Sequence, residues 1–66
     1  IEETVALGEL PEAARAAIRK IATPGQLLKV ESVTKGSVVS YEATIRRNGK
    51  TSEVAVHADG SAGRVD

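Results

Sequence analysis

The chain has 66 residues, no cysteine, and one aromatic residue, Tyr41, so it is one small domain whose core Leu, Ile, Val and Ala must fill without disulfides or a thiolate metal site. A core of that kind supplies only about 3–5 kcal/mol of stability, which leaves little to hold a strained active site. Nine Lys/Arg balance nine Asp/Glu, and this balance speaks against nucleic acid or an anionic membrane, both of which select clustered positive charge. Arg46, Arg47 and Lys50 gather at one turn, as in a solvated hairpin tip. No apolar run approaches the roughly 18 residues of a membrane span, so this segment is expected not to insert in a membrane. The chain begins with Ile1 rather than Met and shows no signal peptide, as a trimmed or mature product would.

In chain order, residues 4–7 (Thr-Val-Ala-Leu) offer a short first strand. The pattern then predicts a helix over residues 11–22. Leu10, Ala14, Ala17, Ile18 and Ile21 form one apolar stripe, opposite Glu12, Arg15, Ala16, Arg19 and Lys20. Pro11 suits a helix start, Glu12 and the Arg19–Lys20 pair suit the two ends of the helix dipole, and Thr23-Pro24-Gly25 is a stop.

After the stop the period falls to 2. Leu28 and Val30, then Val39, Tyr41, Ala43 and Ile45, then Val54 and Val56 alternate with polar neighbours, as strands with one buried face do. Asn48-Gly49 is a favoured two-residue type I′ loop. With Arg47 facing Lys50, it sets Ala43 opposite Val54, Tyr41 opposite Val56 and Val39 opposite Ala58. A second hairpin at Lys35-Gly36 is expected to set Val30 beside Tyr41 and Leu28 beside Ala43. Asp59-Gly60 reads as a turn, and residues 61–66 as a last short strand or a frayed end. The fold class is therefore α+β: one amphipathic helix packed on one face of a three- to four-stranded antiparallel sheet.

The order of these elements carries a resemblance. Leu10-Pro11 opens the helix, Pro24-Gly25 stops it, and Lys29-Val30-Glu31 follows in a strand. Next come residues 39–43 (Val-Ser-Tyr-Glu-Ala), Arg47-Asn48-Gly49-Lys50, residues 53–56 (Glu-Val-Ala-Val) and Ala58-Asp59-Gly60. Over residues 5–65 the chain resembles the PepSY-like domains, including their β-lactamase-inhibitor-like branch, and residues 1–66 are read as a single such domain. The resemblance implies a helix over a small antiparallel sheet in an exported bacterial protein, secreted or periplasmic. It also implies a non-catalytic role in peptidase inhibition or regulation by protein binding. The chain departs from the family where His57 replaces a frequent acidic residue of the last strand. A single unit also lacks the concave surface of the tandem inhibitors, so inhibition of a β-lactamase does not carry over.

The expected pairing lines up Glu31, Ser40 and His57 across the outer face, with Asp59 nearby. A Ser-His-acid row suggests a hydrolase, but an open sheet face offers neither oxyanion hole nor pocket, and no catalytic residues are assigned. One His and scattered carboxylates fall short of a defined metal site; no metal and no cofactor is expected. Leu27, Val33, Val38 and Ala55 fall on the outer face, among expected Lys29–Glu42 and Arg46–Glu53 charge pairs. Aliphatics clustered on a solvent face beside edge strands offer a seat for a partner. The candidate partner-binding residues are thus Leu27, Val33, Val38, Glu42, Ala55 and His57. The expected function is a protein-interaction module, with a peptidase or envelope protein as partner. A ligand- or metal-binding sensor and a structural, self-associating spacer remain as alternatives, and a homo-oligomer is compatible with each.

Overall fold

The computed structural model describes residues 1–65. It is an α+β fold. Strand β1 (Glu2–Val5), a 3-10 turn (Leu7–Glu9), helix α1 (Glu12–Ala22), β2 (Gln26–Lys35), β3 (Val38–Arg47) and β4 (Lys50–His57) follow in that order. The strands form one antiparallel sheet in the order β1-β2-β3-β4, with α1 on one face.

The first strand lies earlier than residues 4–7. The chain leaves the sheet at Ala6, whose N–H donates to Glu9 Oε1 at 2.9 Å. That carboxylate closes Leu7–Glu9 into a 3-10 turn, so Leu7 is no longer free to extend. Helix α1 begins after Pro11 and ends at Thr23, whose N–H and hydroxyl both donate to the Arg19 carbonyl, at 3.2 and 2.9 Å. Its buried residues are Ala14, Ile18 and Ala22, spaced four apart on one face. The stripe therefore passes through Ala22, and Ile21 stays exposed. The Ile21 carbonyl instead receives the Arg47 guanidinium, which ties the helix end to the β3–β4 hairpin.

Beneath the helix, Leu10, Ala14, Ile18, Ala22, Val30, Ala43, Ile45 and Val56 make the core, with Val5, Leu7, Ala17, Leu27, Tyr41 and Val54 packed on it. Tyr41 and Val54 thus face the same side, as alternation requires.

The β3–β4 hairpin has the expected register from Arg47↔Lys50 through Ala43↔Val54 and Tyr41↔Val56 to Ser40↔His57. Asn48 and Gly49 both adopt positive φ, 53° and 77°, as a type I′ turn demands. The expected Val39–Ala58 pair does not form, because the chain turns after His57, with the Gly60 N–H donating to the His57 carbonyl at 2.9 Å. The β2–β3 pairing is displaced by two residues from expectation: Lys35 faces Val38, Ser32 faces Tyr41 and Val30 faces Ala43. The loop is Gly36-Ser37, with only Gly36 at positive φ (60°), a pattern of the II′ kind. A shift of two preserves which face each side chain takes. The register breaks once, between Leu27 and Lys29, and the inserted residue Leu28 is left exposed.

At about 1.5 Å per residue, the 11-residue helix spans about 16 Å. The 10-residue strands span about 33 Å, consistent with a long dimension of 35 Å. The helix covers only part of the sheet's length. At the β2–β3 turn end, Ile1, Val38 and Val39 stand exposed.

Candidate functional site

The face of the sheet opposite α1 carries Glu2 and Thr4 from β1, Lys29, Glu31, Val33 and Lys35 from β2, Val38, Ser40, Glu42 and Thr44 from β3, and Glu53, Ala55 and His57 from β4, as strand alternation and register require. No second layer lies over it among the described residues, yet parts of it are closed to water. Val33 retains 4% of its accessible surface, Ala55 7% and Glu42 9%.

The polypeptide after β4 explains part of this. The Asp59 carboxylate accepts from the Ser61 N–H at 2.9 Å and from its hydroxyl at 2.6 Å, folding the chain back along β4. The His57 N–H then donates to the Ser61 carbonyl at 2.9 Å, and the Gly63 N–H to the Ala55 carbonyl at 2.8 Å. Gly63 lies against Ala55 so closely that a methyl built on it would stand 3.3 Å from the Ala55 methyl. Residues 61–63 are thus tied by a single bridge, Val56↔Ala62, rather than forming a strand; Asp66 lies outside the described residues.

Of the six candidate residues, the structure brings Val33, Val38, Glu42, Ala55 and His57 onto the outer face. Leu27 is a correction. The bulge at Leu28 reverses the alternation, so Leu27 pairs with Ile45 and packs on the inner core. Val33 and Ala55 are buried, not exposed, and Val38, at the β2–β3 turn, is the exposed aliphatic of the set.

The Ser-His-acid row also changes. Ser40 faces His57 on one side, but the two-residue shift places Val33 on the other, and Glu31 moves to the row of Glu42 and Ala55. The expected charge pairs do not form either: Lys29 lies opposite Thr44 and Arg46 opposite Thr51. Lys29 instead pairs with Glu31 on its own strand at 3.5 Å.

Two carboxyls, Glu42 on this face and Asp59 in the turn after β4, are perturbed in opposite directions. Burial pushes the Glu42 carboxyl up, the nearby Glu2, Glu53 and Glu31 push it further, and Lys35 opposes them. The hydroxyl and N–H of Ser61 hold Asp59 below the usual carboxylate range. Among the described residues, no three His, Asp or Glu side chains converge so as to hold a metal ion.

At the turn end of the face, Val33, Lys35, Val38, Ser40, His57 and Arg64 line a half-open cleft of about 220 Å³. Ser40 and His57 were visible to pattern reasoning. Lys35 would have followed from centring the turn on Gly36-Ser37. Arg64 had no local signal, since the tail's return along β4 places it.

Among the described residues, no helix is long and apolar enough to cross a membrane. No protein-family profile, no curated protein and no solved structure matches this chain.

Proposed function

We propose that the domain is a non-catalytic protein-interaction module that receives a partner on the open face of its sheet. One observation carries this reading: an amphipathic cleft opens beside the exposed Val38, at the end of the sheet that α1 leaves uncovered. Exposed apolar groups next to a concave, polar-rimmed surface are the ordinary composition of a recognition site. Both sheet edges are poorer candidates. The β1 edge is short, and part of the β4 edge is taken by residues 61–63, the kind of protection that discourages strand addition. The likeness to PepSY-like domains supports a regulatory or peptidase-inhibitory contact in an exported, secreted or periplasmic bacterial protein.

Panning a random peptide library against the domain tests the reading. Selected peptides are expected to bind the native protein and to lose roughly tenfold or more in affinity against Val38→Asp, as loss of a central apolar contact does. Arg15→Glu on the helix is expected to leave binding unchanged. Retention by Val38→Asp, or loss with Arg15→Glu, moves the binding surface elsewhere and overturns the assignment. Sedimentation of the free domain distinguishes the self-associating alternative, which requires a concentration-dependent dimer.

A further inference from the structure

We propose that the cleft bounded by the β2–β3 turn and the returning tail binds the free C-terminal carboxylate of a partner polypeptide, together with its last aliphatic side chain. This rests on the interaction-module reading and names the part of the partner that enters the site.

The chemistry of the lining argues for an anion. Arg64 and Lys35 are cations, His57 and Ser40 supply an imidazole and a hydroxyl, and among the described residues no acid lines the cleft. In a chain with zero net charge, that is a local segregation, since Glu2, Glu31, Glu42 and Glu53 gather around Glu42, beside the cleft rather than in its lining. The Arg64, His57 and Ser40 side chains make no hydrogen bond or ion pair among the described residues, so their donors are open to a ligand. A guanidinium presents paired N–H groups that match a carboxylate in bidentate fashion.

Val33 and Val38 argue for an aliphatic body next to that charge. Val33 supplies a buried wall and Val38 an exposed lip. About 220 Å³ is less than the roughly 300–1,000 Å³ of sites for drug-sized ligands, a space on the scale of one amino-acid residue.

The boundaries argue for a chain end. Lys35 and Val38 face each other across the β2–β3 turn, and Arg64 comes from the tail, so the cleft lies between two pieces of the domain's own backbone. A terminus enters such a space more readily than a strand passing through. The apolar part of the lining decides which anion fits, because Val33 and Val38 gain nothing from a ligand that is charge alone. A terminal carboxylate places its charge at Arg64 and the adjoining side chain against Val33 and Val38, whereas phosphate and acetate bring no such side chain.

The test is a titration of the isotope-labelled domain, followed by amide chemical shifts at fixed ionic strength, with four probes: N-acetyl-leucine, N-acetyl-leucinamide, acetate and inorganic phosphate. N-acetyl-leucine is expected to give saturable shifts at Lys35, Val38, Ser40, His57 and Arg64. The amide, lacking the charge, is expected to bind roughly tenfold more weakly, the usual worth of a charge-assisted hydrogen bond. Acetate and phosphate are each expected to be weaker still. Arg64→Gln, an exposed tail position, should reduce the affinity by roughly fivefold or more and leave the remaining spectrum unchanged. Equal binding of acid and amide, equal binding of acetate, stronger binding of phosphate, shifts elsewhere or no saturable response would each overturn the proposal. If N-acetyl-leucine fails while library peptides still bind in a Val38-dependent way, the terminus assignment falls and the interaction module stands. If neither binds, both fall.

Discussion

The two faces of the sheet bury side chains to similar degrees by different means. On the inner face, Val30, Ala43, Ile45 and Val56 lie under Ala14, Ile18 and Ala22 of the helix. On the outer face, Val33 and Ala55 reach comparable burial with crowded neighbours and a glycine of the tail for cover. Low exposure therefore reports crowding as readily as a second layer. The energetic consequences differ, because a void under the helix stays empty, while one on the open face fills with water. The outer arrangement also crowds an acidic residue, Glu42, among its neighbours, whereas the buried residues under the helix are all apolar.

The strongest way to break this comparison is to truncate matched positions. Ile45→Ala is expected to lower the unfolding free energy by about 2–4 kcal/mol, most of the roughly 3–5 kcal/mol that a core of this size supplies. Urea denaturation followed by circular dichroism should find the midpoint of that variant moved to a small fraction of the native urea concentration. Val33→Ala is expected to cost about 1.5 kcal/mol, the transfer of two methyl groups at about 0.8 kcal/mol each without an enclosed cavity. Equal losses at the two sites would mean that something covers the outer face as firmly as α1 covers the inner one.

Glu42→Gln sharpens the comparison. A carboxyl whose folded-state pKa is raised contributes its stability below the unfolded value and loses it as pH climbs through the folded one. Native Glu42 therefore weakens the fold at neutral pH, and the glutamine should raise stability there. The gain should stay below about 1 kcal/mol, because an open face screens charge, and should disappear in thermal melts below the ordinary carboxylate range. A gain that persists in acid would assign the effect to packing.

Asp59→Asn is expected to have the smallest effect, of opposite sign. A depressed carboxyl stabilises above its unfolded pKa and loses that contribution as pH falls through the folded value. The asparagine should cost slightly at neutral pH and nothing in strong acid. Hydrogen exchange at the Gly63 N–H, bonded to Ala55, should quicken, because the Asp59–Ser61 contacts are what return the tail to β4. Unchanged exchange there would show that the tail holds without its cap.

How far each feature could be read from sequence follows the range of the interaction that fixes it. Asn48-Gly49 permits essentially one two-residue loop, so the β3–β4 register came out correctly as far as His57. Gly36-Ser37 is a weaker signal beside Lys35, and the pairing expected from that region was two residues off. Because the shift is even, Val33 and Val38 kept their expected face while Glu31 lost its place beside Ser40. At the helix, the periodicity located the buried stripe but did not discriminate Ile21 from Ala22, which lie 100° apart on the helix. Leu27 packs inward, against its expected face, because Leu27 and Leu28 are chemically identical and nothing local says which one a bulge turns inward. The site divided similarly: Ser40 and His57 are neighbours by register, while Arg64 belongs to it only because the chain folds back.

By itself, then, the sequence determined the α+β class, the helix, the order of the three strands that follow it and the face most side chains take. Each of these follows from periodicity or turn chemistry acting within a few residues. Tertiary structure alone decided the bulge at Leu28, the burial of Glu42 and the meeting of Arg64 with Lys35 and His57. Those depend on which distant strands crowd together and where the tail comes to rest, free-energy differences that no short stretch of chain contains.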